Sequence, residues 1–254
     1  TAKYIYSECG RYGKRVQALG GAKNFIIVMP DAELKATSSA LMGSCFGCAG
    51  QRCLAGSNIV AVGDIYDKLV ESVVEKAKQI KVGNALDPKT QMGPVSSKKA
   101  LERVVMYIEL GIKEGAKLVL DGRNIKVEDY PNGYYIGPTI FADVSPEMRI
   151  AKEEIFGPVF GILRAKDFES AMELIESCPY ANAGSIFTSS GKWAREFAYR
   201  LPANMCGINI GIAAPMAFFP FGGSRQSFFG DIKAHGSECI DFYTDKKVIT
   251  IRWF

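Results

Sequence analysis

Cysteine is the residue type in this sequence with the greatest capacity for covalent chemistry, and Cys53 has the most suggestive surroundings. It follows Gln51-Arg52, has small residues on both sides, and lies between a predicted helix and a predicted strand. A rigid scaffold commonly holds catalytic residues on such loops, and small neighbours let a ligand approach the backbone closely. As a thiolate, Cys53 would attack a carbonyl carbon. The alternative is a small buried apolar residue, which the residues alone favour by about three to one.

Metal binding is a second alternative, because Cys45 and Cys48 have a zinc-like spacing. The sequence has no second pair of this kind, and its only histidine, His235, lies far away, so no metal site is predicted. On a helix the two cysteines would lie on one face and pack. We expect His235 to be solvated. An odd number of scattered cysteines, seven, argues against a disulfide framework and for a reducing compartment.

Short apolar runs alternate with amphipathic segments along the chain. Asp31, Asp64 and Asp167 are expected helix N-caps, and Ser96 or Ser97 begins a further helix. The alternation predicts an α/β fold with an open, mostly parallel sheet flanked by helices. The predicted strands are 25–29, 58–62, 117–120, 159–163, 185–188 and 207–210, and the predicted helices are 31–45, 64–80, 96–115, 167–175 and 192–199. A last β-rich run, 248–253, has no following helix and would be free to pair with another subunit.

Composition excludes several other classes of protein. The 254 residues are 48% hydrophobic and 23% charged, as in an ordinary soluble domain. The net charge of +4 is spread along the chain without a basic block, so nucleic acid is not an expected partner. No apolar run reaches the roughly 18 residues of a membrane span, so no membrane partner is expected.

Three segments, in order, resemble motifs of the aldehyde dehydrogenase superfamily. Residues 46–57 (FGCAGQRCLAGS) resemble its active-site cysteine signature, 153–159 (EEIFGPV) a second motif, and 220–227 (PFGGSRQS) its PFGG-type motif. Further landmarks are 92–94 (MGP) and 137–139 (GPT). The resemblance covers essentially the whole chain. It implies an aldehyde-dehydrogenase-like catalytic domain in which Cys53 is the nucleophile.

Within the superfamily, the chain looks most like the CoA-acylating branch that acts on malonate and methylmalonate semialdehydes. Arg52 directly before the nucleophile, residues 22–24 (AKN) and residues 213–221 (AAPMAFFPF) carry this resemblance. Hydrolytic members have a glutamate in an ELGGK motif, where this chain has Ala18 within 17–23 (QALGGAK). Alanine cannot act as a base, and a shifted alignment would place Leu19 there, which cannot either. A thiol acceptor such as CoA needs less activation than water, so the missing base is consistent with it.

The resemblance implies NAD as cofactor, CoA as co-substrate and a thioester on Cys53, whose backbone N–H would help to hold the oxyanion. The products would be propionyl-CoA or acetyl-CoA, with loss of the substrate carboxylate. Arg52 and Phe221 would bind substrate; Glu154 and Phe156 would bind the nicotinamide ribose and ring. The alternatives are a salt-bridge role for Arg52, a helix-cap or salt-bridge role for Glu154, and core packing for Phe156 and Phe221. A CoA-independent aldehyde dehydrogenase, or a non-catalytic truncated module of such an enzyme, also stays open.

The same resemblance divides the chain into three parts. Residues 1–19 would be a remnant of the NAD-binding domain, 20–230 the catalytic domain, and 231–254 an oligomerisation segment with the C-terminal strand. No Gly-rich cofactor fingerprint occurs, so we expect it upstream of Thr1, and we expect this chain alone to bind NAD poorly. The expected partners are a small aldehyde and further copies of the chain, as a dimer or tetramer. The expected location is the cytoplasm, or the mitochondrial matrix if a transit peptide lies upstream.

Overall fold

The computed structural model describes residues 1–254 and contains eleven strands and eight α-helices. The strands are β1 (Ala18–Leu19), β2 (Asn24–Val28), β3 (Gly56–Val62), β4 (Lys117–Leu120), β5 (Thr139–Ala142), β6 (Val159–Ala165), β7 (Tyr180–Ala181), β8 (Ala183–Phe187), β9 (Met205–Ile208), β10 (Ser224–Arg225) and β11 (Phe228–Phe229). The helices are α1 (Ala2–Arg11), α2 (Leu34–Phe46), α3 (Tyr66–Lys78), α4 (Lys98–Lys113), α5 (Arg149–Lys152), α6 (Phe168–Glu176), α7 (Gly191–Arg200) and α8 (Gly236–Tyr243).

Seven strands form one central sheet in the order β4-β5-β6-β3-β2-β8-β9. All neighbours are parallel except the edge strand β4, which runs antiparallel to β5. The innermost strands are buried along nearly their whole length, as expected when helices cover both faces of a parallel sheet. This confirms the predicted α/β fold with an open, mostly parallel sheet flanked by helices. Two small antiparallel pairs, β1-β11 and β7-β10, lie beside the central sheet.

All six predicted strands and five predicted helices form, with ends that differ by a few residues. Ser97 and Asp167 cap α4 and α6 as expected. Asp31 does not cap α2, because its carboxylate accepts hydrogen bonds from Thr188 and Ser189, and Glu33 is the cap instead. Asp64 does not cap α3 either, because it lies within a short 3-10 turn that precedes the helix.

The C-terminal part of the chain differs most from the prediction. The sequence pattern did not predict α8, which has no buried residues. The predicted strand at 248–253 is not formed within this chain, and its apolar side chains are exposed, with Trp253 at 89%.

No helix in the structure combines the length and the apolar character that crossing a membrane requires.

Candidate active site

Cys53 lies in the loop before β3, and its side chain is exposed. Two buried asparagines fix its main chain: Asn24 Nδ2 donates to the Cys53 carbonyl oxygen at 2.9 Å, and Asn182 Nδ2 donates to the same oxygen at 2.8 Å. Asn24 also donates to the carbonyl of Ala55 at 2.9 Å. The backbone N–H of Cys53 has no acceptor within the protein. The loop therefore presents the thiol and the free backbone N–H of Cys53, while two asparagines hold the carbonyl of the same residue.

A strained turn precedes this loop. Cys48, Ala49 and Gly50 all have positive φ values, of 53°, 52° and 67°. Such conformations cost about 1–3 kcal/mol each for residues with a side chain, and they persist only where the surroundings enforce them. Here Gly50 packs so closely that a Cβ would collide with the carbonyl oxygen of Gly157. The cysteine loop therefore rests directly on the loop that carries the EEIFGPV motif.

Arg52 turns its side chain back toward the end of α2. Its Nη2 donates to the carbonyl oxygen of Gly43 and, at 3.2 Å, to that of Ser44. These carbonyls lie in the last turn of the helix, where a guanidinium is favourable. The Nε of Arg52 is buried and has no hydrogen-bond partner. The Nη2 group of Arg52 thus binds the end of α2, while its Nε has no acceptor.

Glu154 provides the carboxylate of the site. Its Oε1 accepts from the backbone N–H of Ala22 at 3.0 Å, and its side chain forms no salt bridge. Burial raises the pKa of Glu154, and the hydrogen bond from Ala22 acts in the opposite direction. Its neighbour Glu153 has a different environment, with hydrogen bonds from Arg149 at 2.7 Å and from the Tyr107 hydroxyl at 2.6 Å. The adjacent glutamates therefore differ: Glu153 is a salt-bridge partner, and Glu154 keeps one oxygen available.

Phe156 follows on the same loop with a φ of 57°, an uncommon conformation for a bulky residue. Its side chain is half-buried and lines the same cleft as Cys53. Bulky residues with positive φ cluster at functional sites, where the surroundings hold the side chain in position.

One cleft brings together four of the five predicted site residues, namely Cys53, Arg52, Glu154 and Phe156. It lies at the amino ends of β2, β3 and β6. The remaining lining residues are mainly small or apolar: Ala22, Asn24, Gly50, Ala55, Gly56, Ser57, Ile155, Gly157 and Val159. Glu154 is the only carboxylate among them.

The fifth predicted residue, Phe221, does not line this cleft. It packs against a small apolar cluster of Leu54, Ala183 and Met205, and its ring centroid lies 5.3 Å from that of His235. Leu54 follows Cys53 directly, so Phe221 packs next to the cysteine loop without lining the cleft that contains Glu154. His235 is exposed, as expected.

Cys45 and Cys48 do not share a helix face, contrary to the prediction. Cys45 is buried at the end of α2, whereas the left-handed turn carries Cys48 to the surface. Burial raises the pKa of the Cys45 thiol far above its usual range. No group of three or more His, Cys, Asp or Glu side chains is arranged to hold a metal ion.

Ala18, at the position of the family's hydrolytic glutamate, is buried in β1 and pairs with Phe229 of β11. It does not line the cleft. The structure therefore has no proton acceptor at that position, and Glu154 is the one carboxylate near the thiol.

Three residues of the site were not predicted from the sequence. Asn182 lies between two alanines with no motif around it, and Asn24 had no predicted role beyond the family resemblance of residues 22–24. Gly50 was one of several small residues near Cys53. Only Gly50 carried a usable signal, because a glycine within a motif often marks a positive φ or a close backbone contact.

Comparisons with known proteins agree on one family. A model described as the aldehyde dehydrogenase family matches residues 1–249. Malonate-semialdehyde dehydrogenase 2 of Geobacillus kaustophilus (strain HTA426) is 48% identical over 254 residues, which are 100% of this chain and 52% of that protein. The chain thus spans about half the length of the curated relatives it matches.

Solved structures give the same result. Methylmalonate-semialdehyde dehydrogenase from Oceanimonas doudoroffii has a TM-score of 0.97 and 43% identity, over 99% of this chain and 52% of that one. A protein from Sinorhizobium meliloti 1021, assigned as methylmalonate-semialdehyde dehydrogenase and complexed with NAD, has a TM-score of 0.97 and 44% identity, over 99% and 52% of the two chains.

Proposed function

Since the chain belongs to the aldehyde dehydrogenase family, we propose that it carries the catalytic cysteine of a CoA-acylating malonate- or methylmalonate-semialdehyde dehydrogenase. One observation carries the proposal: an exposed thiol and its free backbone N–H share a cleft with Glu154 and no other carboxylate. The names of the similar proteins support the substrate class.

The cysteine loop suits the first step of this reaction. The Cys53 thiolate attacks the aldehyde carbon, and the former carbonyl oxygen becomes an oxyanion. The Cys53 N–H is available to this oxyanion because no protein group competes for it. The hydrogen bonds from Asn24 and Asn182 hold the Cys53 carbonyl, so the loop needs little rearrangement when charge develops.

The loop that carries Glu154 and Phe156 suits the nicotinamide half of NAD. The free oxygen of Glu154 would accept hydrogen bonds from the ribose hydroxyls, and the ring of Phe156 would pack beside the nicotinamide. NAD, when bound, supplies the hydride acceptor that turns the hemithioacetal on Cys53 into a thioester. The hydrogen bond from Ala22 already holds one oxygen of Glu154 in this structure.

CoA is the proposed acceptor of the acyl group. The absence of a base at Ala18 disfavours water, which needs deprotonation before it attacks a thioester. A thiol is a better nucleophile and needs less help. With methylmalonate semialdehyde, the products would be propionyl-CoA, NADH and carbon dioxide or bicarbonate.

Arg52 is the proposed partner of the substrate carboxylate. Its buried Nε has no acceptor, and a carboxylate is the group that a guanidinium binds best. We expect Arg52→Met to raise the KM for methylmalonate semialdehyde about tenfold or more, with a much smaller change for propanal, which has no carboxylate. Equal changes for both substrates would mean that Arg52 only supports α2.

The decisive experiment measures NADH formation from methylmalonate semialdehyde and NAD, with and without CoA, on this chain and on its Cys53→Ala variant. Turnover that needs both CoA and Cys53 supports the proposal. Turnover without CoA favours the CoA-independent alternative, in which Glu154 is the remaining candidate base.

The non-catalytic module remains a second candidate because α1 has no buried residues and exposes Tyr4 and Ile5. Such a surface is typical of an element that packs against another part of a protein. Under this alternative Cys53 is idle, and alkylation should not distinguish it from the other exposed cysteines. Alkylation of Cys53 far faster than of the others would contradict it.

A further inference from the structure

Lys23 is the most deeply buried lysine of the chain, and its neighbours are those of the proposed cofactor site. Its side chain is 3% exposed, and Nζ donates to the carbonyl oxygens of Ile150 at 2.6 Å and Glu153 at 2.9 Å. It forms no salt bridge. An ammonium group buried without a salt-bridge partner is unfavourable by several kcal/mol. An apolar side chain of similar length would fill this space without that penalty.

The two acceptors of Lys23 lie at the start and the end of the segment that leads into Glu154. Ile150 lies in α5, a helix of only four residues, and Glu153 is the residue that ends it. A helix this short cannot hold its own C-terminal carbonyls in place, so an external donor matters more here than at a long helix. Lys23 thereby fixes the main chain immediately before Glu154.

Ala22 holds Glu154 from the other side, because its N–H binds the carboxylate oxygen Oε1. Ala22 and Lys23 are consecutive and lead directly into β2, one of the inner strands of the sheet. Asn24, the next residue, holds the carbonyl of Cys53. Three consecutive residues thus connect the cysteine loop and the Glu154 loop to the most rigid part of the fold.

We propose that Lys23 is a positioning residue that holds the carboxylate of Glu154 in the orientation required for the cofactor ribose. This inference rests on the proposed function, since the role of Glu154 gives its orientation a purpose. Lys23 itself acts through the main chain and contacts no reacting atom.

The first test measures hydrogen exchange of backbone amides and needs no activity. Lys23→Met removes the two hydrogen bonds and keeps the length of the side chain. Lys99→Met is the matched control, because Lys99 is exposed and forms no salt bridge. We expect the amide of Ala22, bound to Glu154, to exchange at least tenfold faster in Lys23→Met, with β3 and β6 unchanged.

Lys99→Met should leave all these amides unchanged. An unaltered Ala22 amide in Lys23→Met, or the same acceleration in every strand, would overturn the inference. If Lys23→Met does not fold, Lys23→Gln serves instead, because its amide retains donors, and it should accelerate the same amide to a smaller extent.

The second test is a double-mutant cycle on NAD affinity with Glu154→Gln. A residue that acts through Glu154 has no further effect once that carboxylate is gone. We expect Lys23→Met to weaken NAD binding about tenfold with Glu154 present and to have no effect in the Glu154→Gln background. Additive losses would show a merely structural role.

The two tests separate the inference from the function on which it rests. If this chain alone binds NAD too weakly for the cycle, as the missing Gly-rich fingerprint leads us to expect, the proposed function stands, and hydrogen exchange decides whether Lys23 positions Glu154. If NAD binds and the Ala22 amide does not respond, the function stands and the role of Lys23 is wrong.

Discussion

Cys53 shares its surface exposure with two other thiols, Cys48 and Cys206. Exposure alone would therefore give three cysteines of similar reactivity. A nucleophile in a cleft that is also lined by an arginine, Arg52, should differ from thiols that are simply accessible. We expect iodoacetamide to alkylate Cys53 about tenfold faster than Cys48 or Cys206, as measured by mass spectrometry of peptides over a time course.

The buried thiols Cys45 and Cys178 provide the internal control for this measurement. Burial raises the pKa of both, so they should stay unmodified until the chain unfolds. Equal rates at the three exposed cysteines would favour an idle Cys53 and hence the non-catalytic module.

Lys23 gives the stability of the chain a specific pH dependence. Burial lowers its pKa from 10.5 to about 8, although Cys178, Glu154 and Glu153 act in the opposite direction. Between about pH 8 and 10.5 the unfolded chain binds more protons at this residue than the folded chain. The contribution of Lys23 to the free energy of unfolding therefore rises through this window, by roughly 3 kcal/mol in total.

The comparison with Lys23→Met isolates this contribution, because every other titrating group is common to both proteins. Urea unfolding at pH 7.5 and pH 10.5 should show that the unfolding free energy of the unmodified chain increases relative to that of Lys23→Met as the pH rises. A pH-independent difference would mean that the ammonium is not desolvated as its burial implies.

At the scale of residues, the sequence predicts what lies within a contiguous motif. Cys53, Arg52, Glu154 and Phe156 could be chosen because each lies in a recognisable segment, and the fold brings all four to one cleft. Asn24 and Asn182 reach the Cys53 carbonyl from 29 and 129 positions away. No local pattern carries such a pairing, because it depends on the order of strands in the sheet.

At the scale of elements, the contact between the turn at 47–50 and the loop at 153–158 is the most sensitive feature. Gly50→Ala would introduce a Cβ into the carbonyl of Gly157 and a side chain at a φ of 67°. We expect a loss of about 2 kcal/mol or more in unfolding free energy, measured by urea denaturation. The reactivity of Cys53 should also fall, because the collision displaces its loop.

Gly43→Ala is the matched control for Gly50→Ala. Gly43 lies within α2, and a Cβ there meets no atom within 4 Å. The alanine should leave stability unchanged or raise it by up to about 1 kcal/mol, as expected in a helix. If Gly50→Ala were equally harmless, the close approach of the two loops would not be a constraint.

Elements were predictable wherever their signal is local, and their ends were less so. Runs of β-branched residues predict the buried strands, because a strand that is covered on both faces has a nearly continuous apolar sequence. Asp31 fails as a cap because Thr188, 157 positions away, takes its carboxylate. The capping preference is real, but a tertiary contact competes for the same oxygen atoms.

At the scale of the whole molecule, several of the exposed large apolar side chains lie in three segments. These are α1, the segment 216–219, and the C-terminal run, where Val248 is 91% and Ile249 is 70% exposed. We propose that the run at 248–253 pairs as a strand with another copy of the chain, since it has β-forming residues and no partner within its own chain. The domain division at residues 20 and 231 remains a prediction of the same kind.

A backbone change tests this pairing without altering the surface much. Thr250→Pro removes an N–H donor and should lower the mass of the chain in light scattering toward that of a single copy. Thr250→Val keeps the donor and should leave the mass unchanged. If the unmodified chain already has the mass of a single copy in light scattering, the proposed pairing is contradicted.

The contact between Gly50 and Gly157 also bears on how such a sequence can change over generations. One loop carries the proposed nucleophile and the other the side chains proposed for the cofactor, and the two lie so close that a Cβ on Gly50 would collide with the carbonyl of Gly157. We therefore expect that a change in the backbone of one loop requires a compensating change in the other. A lineage that inherits a new cysteine loop must inherit a compatible partner loop with it, and a chimera that exchanges only one of them should be selected against.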